Sequence, residues 1–209
     1  MQVYKFGGAS IKNTEGIKNV TQIIQGYGAK NLLVVVSAIG KTTDKLQELA
    51  FAYINGNEQT HQILDEIKEF HFDILQRLFT DTKNPVYNEV ANTFVEIEWL
   101  LEEEAEDAPD YLYDQIVSIG ELVSSKIIAA YLNHQGTFTI WQDARNYIQT
   151  DNNYREANVQ WEKTTNEIKK HLPSYLEQGI VLTQGFIGAT SENFTATLGR
   201  EGSDYSAAI

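Results

Sequence analysis

The sequence contains no cysteine, which excludes disulfides and thiolate-bound metal and fits a reducing, cytoplasmic setting. It has no apolar run approaching the 18 or so residues needed to span a bilayer, so no membrane partner is expected. The apolar segment QVYKF begins at the second residue, and the expectation is that no signal peptide precedes the fold. Base is scarce: 16 Lys and Arg stand against 29 Asp and Glu, a formal net charge of −13. Nucleic acid requires a basic footprint, and that class of partner is excluded. The acid is concentrated over residues 62–110, including LEEEAEDAPD, and reads as a solvated helical face. His61, His71, His134 and His171 lack metal-like spacing, so no protein metal site is expected. The absence of a G-x-S-x-G elbow leaves a hydrolase triad without support.

What is present is a mixed α/β pattern, 209 residues long and 42% apolar, enough for one substantial domain. QVYKF predicts a strand that Gly7-Gly8 ends. From Thr14, a plausible N-cap, Ile17, Val20, Ile23 and Ile24 recur at helical spacing, with Gly26 and Gly28 as stops. NLLVVVS (31–37) predicts a strand buried on both faces, and strand–helix–strand begins a parallel sheet. Residues 43–55, about 58–80 and about 85–106 predict three helices, a helical insertion over about 43–110 within the same domain. A fourth helix is expected from about Tyr111 to Asn133, a strand over 137–143, a further helix over 153–171 and a strand over 179–188. FTATL (194–198) reads as a hairpin arm, and SDYSAAI begins to look helical.

Four short stretches carry chemistry. In KFGGAS, Lys5 stands at the carboxyl end of the first strand, where open α/β sheets place ligands, and Gly7 and Gly8 let backbone N–H groups approach phosphate. A tight turn beside a surface lysine would read the same way. SAIGKTTDK contains Gly40-Lys41-Thr42, but a P-loop needs a further glycine where Val35 stands, so that reading fails. Ser37, Thr42 and Thr43 remain as donors in a loop that could share a crevice with Lys5, or Thr43 could simply cap the next helix. Glu121 interrupts the apolar helix IVSIGELVSSKIIAAYL and is costly to bury unless something positive pairs with it: Lys126, another side chain or a ligand ammonium. GREGSD gathers Arg200, Glu201, Ser203 and Asp204, which suits a carboxylate or phosphate ligand, or equally a solvated hairpin loop.

Taken together, KFGGAS, VVVSAIGKTTDKL, SIGELVSSKIIAAYLNHQG, WQDARNYIQTDNNYREA and VLTQGFIGAT…TATLGREGSDYSAA resemble the aspartokinase family, a branch of the amino-acid kinases, in the same order along the chain. The likeness excludes about 50–110, where that family carries a variable helical insertion. It implies a three-layer α/β/α sandwich around a mainly parallel sheet. It also implies ATP-dependent phosphorylation of the L-aspartate side chain to 4-phospho-L-aspartate, the first step of lysine, threonine and methionine biosynthesis. Lys5, with Gly7 and Gly8, would meet the ATP phosphates. Ser37 and Thr43 would lie at the substrate crevice, Glu121 would hold the substrate ammonium and Arg200 a substrate carboxylate. Ser203 and Asp204 would organise the centre, with Asp204 orienting Lys5. ATP would bring Mg²⁺, held mainly by its own phosphates and water. The family pattern has Gly-Gly after the arginine, whereas Glu201 takes the first of those places here. The likeness stops at Ile209, and the expectation is an N-terminal, acceptor-binding portion, C-terminally incomplete, without the nucleotide-base segment and regulatory domains. The full-length protein is expected to form homo-oligomers. Two further readings stay open: a non-catalytic amino-acid-binding or interaction module derived from this fold, and an amino-acid kinase with another acceptor.

Overall fold

A computed structural model describes residues 1–28 and 31–209. Its centre is a four-stranded sheet of β1 (Gln2–Phe6), β2 (Leu32–Val36), β3 (Thr139–Trp141) and β4 (Ile180–Gln184), ordered β1-β2-β4-β3. All neighbours are parallel, with Lys5 opposite Val35 and Val36 opposite Gln184. Parallel strands put their carboxyl ends on one edge, so the segments after β1, β2 and β4 emerge side by side.

Successive strand residues face opposite ways, and each face is covered by different helices. Leu32, Val34, Val36, Ile180 and Leu182 pack with α1 (Thr14–Tyr27) and α6 (Ile119–His134) in the main core. Leu33 and Val181 face α7 (Trp161–Gln178) through Leu172 and Leu176. The result is the helix–sheet–helix layering expected from the family resemblance. A buried leucine such as Leu182 truncated to alanine would cost about 2–5 kcal/mol.

Between β2 and α6 stand α2 (Thr42–Ile54), α3 (Thr60–Leu78), α4 (Val86–Glu102) and α5 (Pro109–Val117). Ile63, Ile67, Ile74, Val90, Phe94 and Ile97 join the same core as the sheet. His71 is fully buried there, 2.7 Å from the Ile67 carbonyl and 3.4 Å from the Thr42 hydroxyl. Burial pushes its pKa down to about 4, so it is a neutral core side chain at physiological pH. Together α5 and α6 span Pro109–His134, which by length and composition is apolar enough to cross a membrane, unlike anything the run-by-run reading suggested. Of its most apolar stretch, 83% is buried inside the protein, as befits a central core helix.

Several boundaries differ from the sequence reading. Asn13, not Thr14, caps α1, its side chain accepting from the Gly16 N–H at 2.9 Å, and Gly26 lies inside the helix. The helix expected over 153–171 starts only at Trp161. The Asp151 carboxylate accepts from the N–H groups of Asn153 and Asn158 and from the Asn158 amide, folding 151–158 into a loop. The same helix continues through Pro173, whose ring is exposed while Leu172 and Leu176 bury against the sheet. That packing offsets a proline cost of about 3 kcal/mol. After β4 the chain turns into an antiparallel hairpin, β5 (Ile187–Ala189) and β6 (Thr195–Thr197), and ends in α8 (Gly202–Ala208).

Candidate functional site

At the carboxyl edge of the sheet lies a cavity of about 750 Å³. Lys5, Ser37, Thr43, Glu121, Arg200, Ser203 and Asp204, singled out from the sequence, all line it. Lys5 reaches across to Asp204, Nζ to Oδ2 at 2.9 Å, joining β1 to α8 over 199 residues of chain. Ser203 is buried, Arg200 is exposed, and Arg200 pairs with no carboxylate among the described residues.

Gly7 and Gly8 do not line the cavity, but both explain its shape. A Cβ on Gly7 would stand 3.3 Å from Lys5 Nζ, so the missing side chain keeps the space beside the ammonium clear. A Cβ on Gly8 would come within 2.7 Å of the Gly40 carbonyl oxygen, so Gly8 locks the first loop against the second. Ser124 on α6 donates to the Ser37 carbonyl at 2.7 Å and holds that second loop from below. Thr43 does not cap α2. The helix begins one residue earlier, behind Lys41 and without a side-chain cap, which leaves the Thr43 hydroxyl to the cavity.

Glu121 is the electrostatic centre of the floor. It is 2% exposed; Oε1 accepts from the Ala38 N–H at 3.3 Å, and Oε2 has no partner. Burial pushes its pKa up to about 8, against the weaker pull of the Ala38 and its own N–H groups. Lys126 is not its partner: that ammonium donates to Thr93 Oγ1 at 2.7 Å and lies over the Trp141 ring. Gly120 allows this placement, because a Cβ there would stand 2.9 Å from Leu46 and 3.1 Å from Ala38. A desolvated carboxylate with a free oxygen, opening into a polar cavity, suits a ligand cation.

Other residues of the site escaped the sequence reading. Asp114 on α5 is fully buried and accepts from Arg155 N at 2.9 Å, Thr197 N at 2.8 Å and Thr197 Oγ1 at 2.7 Å. It thereby ties the 151–158 loop and the hairpin to α5, the helix that leads into the one carrying Glu121. Arg155 and Phe186 also line the cavity, and they share with Glu201, already noted in the sequence, a left-handed backbone at φ 70°, 73° and 58°. Such a conformation costs a non-glycine residue about 1–3 kcal/mol. The Arg155 guanidinium pairs with Asp110 at 3.2 Å and lies 4.3 Å over the Tyr113 ring. Those are exposed contacts, worth about 0–1 and 0.5–1 kcal/mol. Asp143 and Arg145, from the WQDAR stretch, form their own ion pair outside the cavity, and Arg145 also holds Thr195 on the hairpin.

Among the described residues no group of three or more His, Asp or Glu side chains could hold a metal ion alone. The clear space beside Lys5 and the loops at the strand ends fit the phosphates of a nucleotide that brings its own cation.

Comparison with known proteins gives a consistent pattern. The amino acid kinase family matches residues 1–209. Lysine-sensitive aspartokinase 3 of Escherichia coli is 32% identical over 207 residues, covering 99% of this chain and 45% of that protein. Aspartokinase of Chlamydia pneumoniae is 32% identical over 210 residues, with 99% and 43% covered. The crystal structure of E. coli aspartokinase III in complex with aspartate and ADP superposes with a TM-score of 0.88 at 32% identity, over 99% of this chain and 45% of that one. The chain thus spans less than half the length of these curated relatives.

Proposed function

Because this chain belongs to the amino acid kinase family, we propose that it is the acceptor-binding portion of an aspartate kinase, which uses ATP to phosphorylate the side-chain carboxylate of L-aspartate. The observation that carries this reading is Glu121, a buried carboxylate with an unpartnered oxygen on the floor of a cavity whose rim presents Lys5 and Arg200.

Each side chain then has a task. Glu121 takes the substrate ammonium, whose charge favours the ionised carboxylate that burial alone disfavours. Arg200 takes a carboxylate through its planar fork. Lys5 stabilises negative charge on the transferring phosphoryl group, and Asp204 holds the lysine in place. Ser37, Thr43 and Ser203 offer hydroxyl donors around the same point. A carboxylate acceptor has a pKa near 4 and is ionised at pH 7, so no general base is required. Rate enhancement comes from positioning and fixed charge. ATP supplies the phosphoryl group, with Mg²⁺ shielding its phosphates. The reading also places the protein in the cytoplasm, at the head of lysine, threonine and methionine biosynthesis, and makes the whole protein a homo-oligomer.

The test is ATP-dependent formation of aspartyl phosphate, trapped with hydroxylamine, alongside calorimetric titration with L-aspartate. Acceptor binding that is lost in Glu121→Gln, and turnover that is lost in Lys5→Ala, support the reading. A chain that neither binds L-aspartate nor forms the acyl phosphate refutes it.

A further inference from the structure

Resting on that acceptor reading, we propose that Arg155 is a second carboxylate-recognising residue, which together with Arg200 binds the acceptor carboxylate that is not phosphorylated. Arg155 occupies a left-handed position that glycine would take without strain, so its side chain is present at a backbone cost. It lines the same cavity wall as Arg200. A Cβ on Gly199 would stand 3.3 Å from the Arg155 carbonyl oxygen, so the two arginines rise from adjoining segments of that wall.

The guanidinium is held ready for a planar anion. One face lies on the Tyr113 ring, whose hydroxyl is fixed by the Gln47 amide at 2.7 Å. Below it, Asp114 anchors the Arg155 main-chain N–H at 2.9 Å. The only side chain that takes a hydrogen bond from the guanidinium, among the described residues, is Asp110, from Nη1 at 3.2 Å. Arginine has five N–H donors in a fixed fork, so most remain for a ligand. The Asp110 pair is solvent-exposed, at 53% and 62%, and yields readily to a competing carboxylate. Lys5, held by Asp204, is assigned to the transferring phosphoryl group, which leaves the two arginines as the cations of the wall that can meet a second anionic group.

β-Alanine tests this directly, since it keeps the ammonium and the reacting carboxylate of L-aspartate but lacks the α-carboxylate. Calorimetry on the whole chain should show L-aspartate binding more tightly than β-alanine. Arg155→Ala should weaken L-aspartate about tenfold or more and leave β-alanine within twofold, while Arg155→Lys recovers only part of the loss. Arg155→Gly should bind L-aspartate as weakly as the alanine variant yet melt at a higher temperature, an opposition of signs that a purely structural arginine would not produce. In active preparations the loss should fall on KM rather than kcat. L-Aspartate bound equally by the parent and by folded Arg155→Gly overturns this inference alone. No L-aspartate binding by the parent overturns the acceptor reading and this inference with it.

Discussion

Asp114 and Glu121 sit about two turns apart on the α5–α6 helix pair, both buried, both with their pKa pushed up by that burial. Asp114 receives three donors from the loop and the hairpin. Glu121, whose side chain lines the cavity, receives one, and its buried second oxygen has none. The protein therefore completes one carboxylate with two backbone N–H groups and a threonine hydroxyl, and leaves the other for something else to complete. The first holds the walls of the site together, and the second is, on the proposed reading, completed by the substrate ammonium.

The largest effect should come from breaking the completed member. Asp114→Ala would strand the N–H groups of Arg155 and Thr197 and the Thr197 hydroxyl, and should cost on the order of 3–5 kcal/mol in a urea unfolding midpoint. Glu121→Gln should behave in the opposite way. Stability near pH 6 should move by less than about 1 kcal/mol, since a protonated glutamate and a glutamine are both neutral and of the same size. Affinity for L-aspartate should fall by about 30–150-fold, equivalent to the loss of about 2–3 kcal/mol of charged hydrogen bonding. A Glu121→Gln protein that unfolds as readily as Asp114→Ala would erase the distinction between the two carboxylates.

A pH series sharpens the contrast. Glu121 has a folded pKa of about 8, above its ordinary 4.5, so the folded state holds a proton that the unfolded state releases. Its contribution to stability is complete below pH 4.5, declines as pH rises, and is gone once pH passes about 8. Glu121→Gln removes that decline, so the variant should overtake the parent in stability by pH 9 in denaturant titrations without ligand. Saturating L-aspartate should abolish the parent's alkaline loss, because a bound ammonium favours the ionised carboxylate.

Much of this was legible in the chain, and the rest was hidden for physical reasons. The parallel strands show as apolar, β-branched runs between glycines, and Glu121 shows as a charge inside an apolar helix. Asp114 carried the same signal: seven residues earlier puts it on the same helical face as Glu121, but flanking Tyr113 and Gln115 made that turn look polar. Arg155 gave no sign at all, since a left-handed backbone at an arginine has no signature in composition or spacing. The helix expected over 153–171 failed because Asp151 outcompetes the helix for local N–H groups, and Pro173 was tolerated because the sheet buries the leucines beside it. The Lys5–Asp204 pair joins the two ends of the chain, and only the family resemblance pointed to it in advance.

The smallest effect concerns a third carboxylate, Glu201, which lines the same cavity but is exposed and holds φ 58°. It neither ties the fold together, as Asp114 does, nor suffers desolvation, as Glu121 does. Glu201→Gly should relieve the left-handed strain and stabilise the chain by about 1 kcal/mol, a rise of about 2–4 °C in Tm. Removing one negative charge from the rim should also tighten L-aspartate binding severalfold at low salt, and the gain should fade as ionic strength rises. A gain that persists at high salt would mean that Glu201 acts by contact or by shaping the loop. The left-handed backbone, more than the charge, would then be what sets Glu201 apart from Asp114 and Glu121.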